Sequence, residues 1–381
     1  MDQDLVAKVT AWRRHLHAHP ELTLHEQNTS AFVQAKLTEL GVPFVADVGG
    51  HGVVATLTRG ASNRAVGLRA DMDALPITET PGLEYASTNP GVMHACGHDG
   101  HTASLLGAAA LLKDDPSWTG TVHLVFQPAE EGGGGAKSMI ADGLFSRFPM
   151  ERIFGYHNWP GLEAGTVMVH DGPLMAAGAR IYITVRGHAG HAAMPHLTRD
   201  PMVAAAHLII ALQSIVARNV NPLESAVVTI GTIKGGTAAN QIPDRIDLTG
   251  TMRALKPEVR DLVDGQIKQI CAGIAATYGM QMDVEVRHGV NVTVNTLAEA
   301  ELALAAATAA GIATRRDLAP TMGGEDFSWF LHERPGAYAW IGNGPAEPGK
   351  ELHNPGYNYN DAILPVAATW LAGVAKRALA G

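Results

Sequence analysis

The middle of the chain changes its rhythm. Between residues 178 and 290, short alternating apolar runs at 181–186, 226–233, 245–252 and 282–287 are separated by helical patterns at 201–219 and 257–278. Strand, helix, strand, strand, helix, strand is the order of the ferredoxin-like, or split βαβ, unit. About 110 residues suffice for such a unit to bury a core of its own. The flanking sequence alternates differently. Helical patterns at 2–18, 26–40, 102–112, 297–311 and 361–379 interleave with strand-like runs at 52–58, 65–69, 121–127, 152–157, 166–170 and 337–341. Single strands alternating with helices predict an α/β layer architecture. The chain of 381 residues therefore reads as one α/β domain, 1–177 and 291–381, interrupted by an inserted domain at 178–290.

Charge and cysteine content narrow the function classes. Lys and Arg total 28 against 37 Asp and Glu, a net charge of −9. An acidic surface repels phosphate backbones, which argues against nucleic-acid binding. The two cysteines, Cys96 and Cys271, exclude a disulfide framework. The N-terminus is acidic and lacks the basic start of a signal peptide. The longest run of apolar or small residues, 105–112, is far below the ~20 residues that cross a bilayer. These features predict a cytoplasmic protein without a membrane partner. Histidine is abundant, at 18 residues, and invites a search for metal or acid/base chemistry.

Three local patterns carry that chemistry. The densest is Met93-His94-Ala95-Cys96-Gly97-His98-Asp99-Gly100-His101, with three imidazoles and one thiol in nine residues. Thiolate and imidazole are ligands for zinc and similar divalent ions. A helix-capping loop or a catalytic cysteine is the competing use of this stretch, and the segment alone does not choose between them. The second pattern is Gln127-Pro128-Ala129-Glu130-Glu131 followed by four glycines, directly after an apolar strand. Adjacent carboxylates at the carboxyl end of a strand suit a metal ligand beside a proton carrier. The following GGGGAKS is not a phosphate loop, because Ala136 and Glu131 stand where glycines are required. The third pattern is a scatter of polar residues at strand ends and in Gly/Pro loops: Asp71, Asp73, His157 and His353.

Taken in order, these motifs resemble one family. Arg14-His15-Leu16-His17-Ala18-His19-Pro20-Glu21-Leu22, Gly67-Leu68-Arg69-Ala70-Asp71-Met72-Asp73-Ala74-Leu75-Pro76, the Cys96 loop, Gln127-Pro128-Ala129-Glu130-Glu131, Gly190-His191-Ala192-Ala193-Met194-Pro195-His196 and Leu352-His353-Asn354-Pro355 are similar to the aminoacylase and carboxypeptidase-type co-catalytic metallohydrolases. The branch they match is the amidohydrolases, which include hippurate hydrolase, N-acyl-amino-acid amidohydrolases and plant auxin-conjugate hydrolases. The resemblance implies an α/β metallopeptidase catalytic domain and an inserted ferredoxin-like lid and dimerisation domain. It implies two divalent ions per subunit (Zn, Mn, Co or Ni) on Cys96, His98, Glu131, His157 and His353, with Glu130 as general base. Asp73 matches the orienting aspartate. Where the wider family has His-x-Asp, this chain has Asp71-Met72-Asp73, so Asp71 is not assigned as a ligand.

The resemblance places His191, Asn240 and Arg253 with the substrate. By its chemistry His191 suits a hydrogen bond to the developing oxyanion, and Gly324, in the turn Met322-Gly323-Gly324, is a further candidate for substrate binding. Arg253 suits a carboxylate because its guanidinium fork matches two oxygens. The expected reaction is hydrolysis of the amide of an N-acyl or N-aroyl amino acid by a homodimer or higher homo-oligomer. Short peptides as substrates, a cysteine hydrolase and a non-catalytic binding protein are the alternatives. Cys271 lies on an apolar helix face and reads as a small core residue.

Overall fold

The computed structural model describes residues 1–80 and 82–380. Contacts divide them into two compact units. The first comprises Met1–Gly172, Val294–Ala319 and Asp326–Gly381; the second comprises Pro173–Thr293 and Pro320–Glu325. The second unit thus begins and ends a few residues outside 178–290 and takes in the turn that carries Gly324.

The first unit opens with α1 (Gln3–Ala18) and α2 (Gln27–Glu39). Asp2 caps α1 by accepting from the Leu5 amide at 2.8 Å, and Val9, Trp12 and Leu16 form its buried stripe. Strands β1 (Phe44–Val45), β2 (Val53–Arg59) and β3 (Ala65–Asp71) follow, then α3 (His98–Asp114), β4 (Gly120–Gln127), α4 (Gly135–Ala141), β5 (Arg152–Pro160) and β6 (Val167–Met168). In the second unit lie β7 (Ala177–Arg186), β8 (Gly190–His191), α5 (Pro201–Ser214), β9 (Ala226–Lys234), β10 (Gln241–Ile242), β11 (Arg245–Ala254), α6 (Pro257–Tyr278) and β12 (Gln281–His288). The chain then completes the first unit with α7 (Leu297–Ala309), β13 (Thr314–Arg315), β14 (Gly336–Gly344) and α8 (Leu364–Ala380).

The first unit's sheet has the order β1-β2-β4-β3-β5-β14-β6-β13. Its centre is parallel: β3 pairs with β4 and β5, and β5 with β14. Such strands are covered on both faces and read as continuous apolar runs. In β3 every residue from Val66 to Asp71 is buried. Parallel pairing also brings the carboxyl ends of β3, β4 and β5 to one edge, with Asp71 in register with Gln127. Loops leaving that edge carry most of the chemistry-bearing residues.

Among the described residues, two helices are long and apolar enough to cross a membrane by length and composition: 201–219 and 361–380. The second is largely interior, with Trp370, Leu371 and Val374 fully buried in the first unit's core. Helix α5 leaves Met202, Val203 and Ile210 exposed.

The second unit is a four-stranded antiparallel sheet, β9-β11-β7-β12, with α5 and α6 packed on it. Numbered along the chain, its strands lie in the order 4-1-3-2, the ferredoxin-like arrangement. Ile181, Ile183, Leu208, Leu248, Ile267 and Cys271 share its core. Cys271 is 1 % exposed, and burial pushes its thiol up to about 12.

The departure from the predicted elements that bears on the site concerns α3. The sequence pattern starts this helix near residue 102, whereas it begins at His98. Gly97, at φ +90°, takes the left-handed cap conformation, and the chain turns helical immediately. His98 and Asp99 therefore stand in the first helical turn and not on a loop.

Candidate metal centre

Gly97 fixes the geometry of its two neighbours. A Cβ at this position would lie 2.3 Å from Asn158 Nδ2 and 2.6 Å from Tyr357 Oη. That close approach lets Asn158 Nδ2 donate to the Cys96 carbonyl at 2.7 Å, while the Tyr357 hydroxyl donates to Asn158 Oδ1 at 2.5 Å. The Cys96 side chain is thereby presented toward β5, with Sγ 3.3 Å from His157 Nε2.

The imidazoles are oriented by what holds their other nitrogen. His157 Nδ1 lies 2.7 Å from the Asn158 carbonyl, an acceptor only, so Nδ1 carries the proton and Nε2 keeps a lone pair. His98 Nδ1 lies 3.2 Å from Asp73 Oδ1, leaving Nε2 buried without a hydrogen-bond partner. A carboxylate behind a histidine is the usual support for a metal-ligating ring. Asp73 also accepts from the Glu131 amide at 2.9 Å and from the Thr23 hydroxyl. One carboxylate thus orients two donors, His98 and Glu131.

These donors form two groups. Cys96, His98 and His157 offer ligand atoms within 4.8 Å of one another, and so do Cys96, Glu131 and His353. Cys96 belongs to both. His353 sits at φ +63°, a conformation that costs a non-glycine residue about 1 kcal/mol or more. Its amide donates to the Ala95 carbonyl at 2.8 Å, which ties its loop to the cysteine loop, and its Nε2 is 3.3 Å from Glu131 Oε1. Glu131 Oε1 makes no hydrogen bond. Glu130 follows Ala129, itself at φ +56°, whose amide donates to the buried Glu26 carboxylate at 2.8 Å. Glu130 Oε1 accepts from the Asp326 amide at 3.3 Å.

Electrostatics favour a cation here. Burial by itself would lower the His98 pKa, but Asp71 and Asp73 outweigh it and raise the ring to about 10. Burial, with Glu131 and Glu130 nearby, pushes the Cys96 thiol up. Burial and the adjacent His101 hold His157 well below the ordinary histidine range, as a neutral ring. Two buried atoms that make no hydrogen bond among the described residues, His98 Nε2 and Glu131 Oε1, several carboxylates and a thiol are the makings of a site for two divalent ions. The S/N/O donor mix fits zinc, manganese, cobalt or nickel.

Asp71 has other partners. Its carboxylate pairs with Arg69 Nη1 at 2.7 Å and His101 Nδ1 at 2.6 Å, and stays 3.7 Å from His98 Nε2. His101, Arg69, Asn158, Tyr357 and Asp326 support the site and went unassigned in the sequence. Beneath the cysteine loop, Asp99 forms an ion pair with Arg13, Nε to Oδ2 2.8 Å, and a hydrogen bond with His17 Nδ1 at 2.8 Å, and His17 Nε2 reaches Glu79 at 2.9 Å. Arg69, His101, His17 and Asp99 stand inside the longer motifs without a role of their own there.

The remaining assigned residues lie in the second unit and fall into two places. His191 pairs across from Gln241 in the β8–β10 ribbon, and the Ala192 amide donates to the Asn240 carbonyl at 3.0 Å. His191 is exposed, and its Nδ1 accepts from the Ala193 amide, which leaves the proton on Nε2. Arg253, on β11, is not on this ribbon. A Cβ at Gly178 would lie 2.2 Å from its Nη1, and one at Gly324 would lie 3.0 Å away, so two glycines make room for the guanidinium. Burial and the neighbouring Arg180 lower its pKa.

A shared thiol, flanking imidazoles and paired glutamates at the carboxyl edge of a parallel sheet define a hydrolase of the metal-site α/β class. The chain belongs to peptidase family M20/M25/M40, whose sequence profile matches residues 67–377. It is 41% identical over 368 residues to N-acetyl-L-cysteine deacetylase of Bacillus subtilis, covering 96% of this chain and 87% of that one. It is 40% identical to hippurate hydrolase of Campylobacter jejuni, over 99% and 98% of the two chains. Among solved structures, the Bacillus subtilis YxeP protein, a dinuclear metal binding peptidase of the M20 family, superposes with a TM-score of 0.88 at 34% identity. The match covers 100% of this chain and 99% of that one.

Proposed function

We propose that this protein is an amidohydrolase that cleaves N-acyl or N-aroyl amino acids into a carboxylic acid and a free amino acid, using two divalent cations. The observation that carries the proposal is the pair of donor groups sharing Cys96, with Glu130 beside the ligand Glu131. The relatives named above act on N-acetylcysteine and hippurate, both N-acylated amino acids. Such cations would supply a lowered pKa for a bound water and polarisation of the scissile carbonyl. Cys96, His98 and His157 would hold one cation, and Cys96, Glu131 and His353 the other. Glu130 takes the proton of the attacking water and delivers it to the leaving amine. Asp73 keeps the His98 ring turned and the Glu131 backbone in place. His191 donates from Nε2 to the developing oxyanion, with Asn240 on the same ribbon. Arg253, in its glycine cradle beside Gly324, takes the substrate carboxylate.

The inserted unit is proposed as lid and dimer surface. The exposed Met202, Val203 and Ile210 of α5 support a second copy as its partner. A cysteine-hydrolase reading is disfavoured, because the Cys96 thiol is buried among carboxylates that oppose its ionisation.

The test is turnover of hippurate and a panel of N-acetyl amino acids, read by released amine. Activity is expected to vanish with a chelator and return with Mn²⁺ or Zn²⁺. Glu130→Gln is expected to retain two ions while losing at least about 100-fold in kcat. Full activity of the metal-loaded Glu130→Gln protein would refute the assignment of the base.

A further inference from the structure

Arg69 is a fully buried cation of the first unit that none of the roles above uses. It lies on β3. Its Nε donates to Gln127 Oε1 at 2.8 Å, Nη1 to Asp71 Oδ2 at 2.7 Å and to the Tyr338 hydroxyl at 3.3 Å, and Nη2 to Asp326 Oδ1 at 3.1 Å. Asp326 is held from three sides: Gln127 Nε2 donates to Oδ1 at 2.7 Å, and the Ala136 amide donates to Oδ2 at 3.0 Å. Its own amide is the one that donates to Glu130 Oε1. Carboxylate oxygens of Glu130 and Asp326 also come within 4.8 Å of each other.

We propose that Arg69 and Asp326 are a positioning pair for Glu130: the guanidinium fixes and neutralises the Asp326 carboxylate, so that the Asp326 amide holds the base. The proposal rests on the reading of Glu130 as the general base. Two physical arguments support it. A buried arginine is retained only where its hydrogen bonds and charge are answered, and here they are answered by Asp71 on one side and Asp326 on the other. Without Arg69, two carboxylates a few ångströms apart would repel in a poorly solvated site, and the base would be pushed off its amide. Gln127 spans Arg69 and Asp326 and keeps them in register. Arg69 thus joins the loop that carries the base to Asp71 and the His101 ring behind the metal ligands.

A plain core ion pair would serve folding alone, so the test needs a readout that folding does not move. Asp326→Asn, Arg69→Lys, Arg69→Met and the double variant Arg69→Met/Asp326→Asn are compared with wild type and Glu130→Gln. All are loaded with Mn²⁺ and assayed on hippurate and N-acetyl-L-cysteine, with metal content and melting temperature recorded. Arg69→Met is expected to lose about 100-fold in kcat, Asp326→Asn about 10-fold, and Arg69→Lys less than Arg69→Met, with KM and two bound ions per chain unchanged. The double variant is expected to be more active than Arg69→Met, because the uncompensated carboxylate is gone. The proposal is overturned if Asp326→Asn and Arg69→Lys keep wild-type kcat, if the losses fall in KM or metal content, or if the double variant shows the product of the single losses. Should Arg69→Met not fold, Asp326→Asn and Arg69→Lys decide alone by the same criteria. An active Glu130→Gln would instead remove the base, and with it the pair's role. An inactive Glu130→Gln beside unaffected Arg69 and Asp326 variants would sink only the positioning pair.

Discussion

Replacing Gly97 by alanine tests how tightly the backbone of the metal loop is specified. The added methyl meets two objections. At φ +90°, an L-residue loses about 1–2 kcal/mol relative to its relaxed conformation. The Cβ would also sit 2.3 Å from Asn158 Nδ2 and 2.6 Å from Tyr357 Oη, so the asparagine must swing away. That movement breaks its bonds to the Cys96 carbonyl and the Tyr357 hydroxyl, together about 2 kcal/mol. Alanine restricts the unfolded chain and returns about 0.4–1 kcal/mol. The net loss is about 3 kcal/mol, which lowers Tm by about 6–12 °C for a unit of this size. The measurement is scanning calorimetry of chelator-treated wild-type and Gly97→Ala protein, repeated after loading with Mn²⁺. Cys96 and His98 flank the perturbed residue, so the upward shift in Tm on metal loading should also shrink in the variant. A Gly97→Ala protein with wild-type Tm and a full metal-induced shift would refute the reasoning, because it would show that Asn158 and the turn can yield at no cost.

Three further outcomes follow from the same geometry. Asp73→Asn removes the carboxylate behind His98 while keeping its shape, and is expected to weaken metal binding about 10–100-fold in a competitive-chelator titration. Arg253→Ala is expected to raise KM for hippurate about 10–100-fold with metal content unchanged; an unaltered KM would take the substrate carboxylate away from Arg253. His17 is faced by Asp99, Glu79, Arg13, Tyr85 and His94; burial by itself would lower its pKa, but bonds to Asp99 and Glu79 raise it. Its charged form therefore stabilises the fold fully below about pH 6.5, and the contribution is lost as pH rises through the higher folded value. In metal-free protein, denaturant titrations should show His17→Gln most destabilised relative to wild type near pH 5–6 and less so at alkaline pH.

Chemistry carried within a few residues was legible from the sequence, whereas chemistry assembled by topology was not. Cys96 and His98 declare themselves because thiol, glycine and imidazole stand together, and Glu130-Glu131 because they follow an apolar strand at once. Even there, the apolar pattern starts the helix at residue 102, four residues late: a left-handed Gly97 initiates a helix, but its letter does not distinguish that role from an ordinary turn. The ferredoxin-like order was readable because each of its elements has a clean period. Asp71 shows where such reading stops. Its position two residues before Asp73 made it a candidate, but its role is set by Arg69 beside it on β3 and by His101 thirty residues on, which α3 packs across the sheet. Arg69 and Asp326 are separated by 257 residues, and only the return of the chain after the second unit makes them partners. Nothing local in Gly-Gly-Glu-Asp-Phe or Gly-Leu-Arg-Ala-Asp announces an ion pair. The physical reason is general: a donor set for a cation can be written into one or two loops, but the groups that neutralise and aim it must come from wherever the sheet and helices bring them. The same division appears in the second unit, where the sequence marks Arg253 and Gly324, while Gly178, which also leaves the guanidinium its space, lies 75 residues before Arg253 and carries no signal. Alanine at Gly178 would put a Cβ 2.2 Å from Arg253 Nη1, so the guanidinium would have to shift although no charged or polar group is removed.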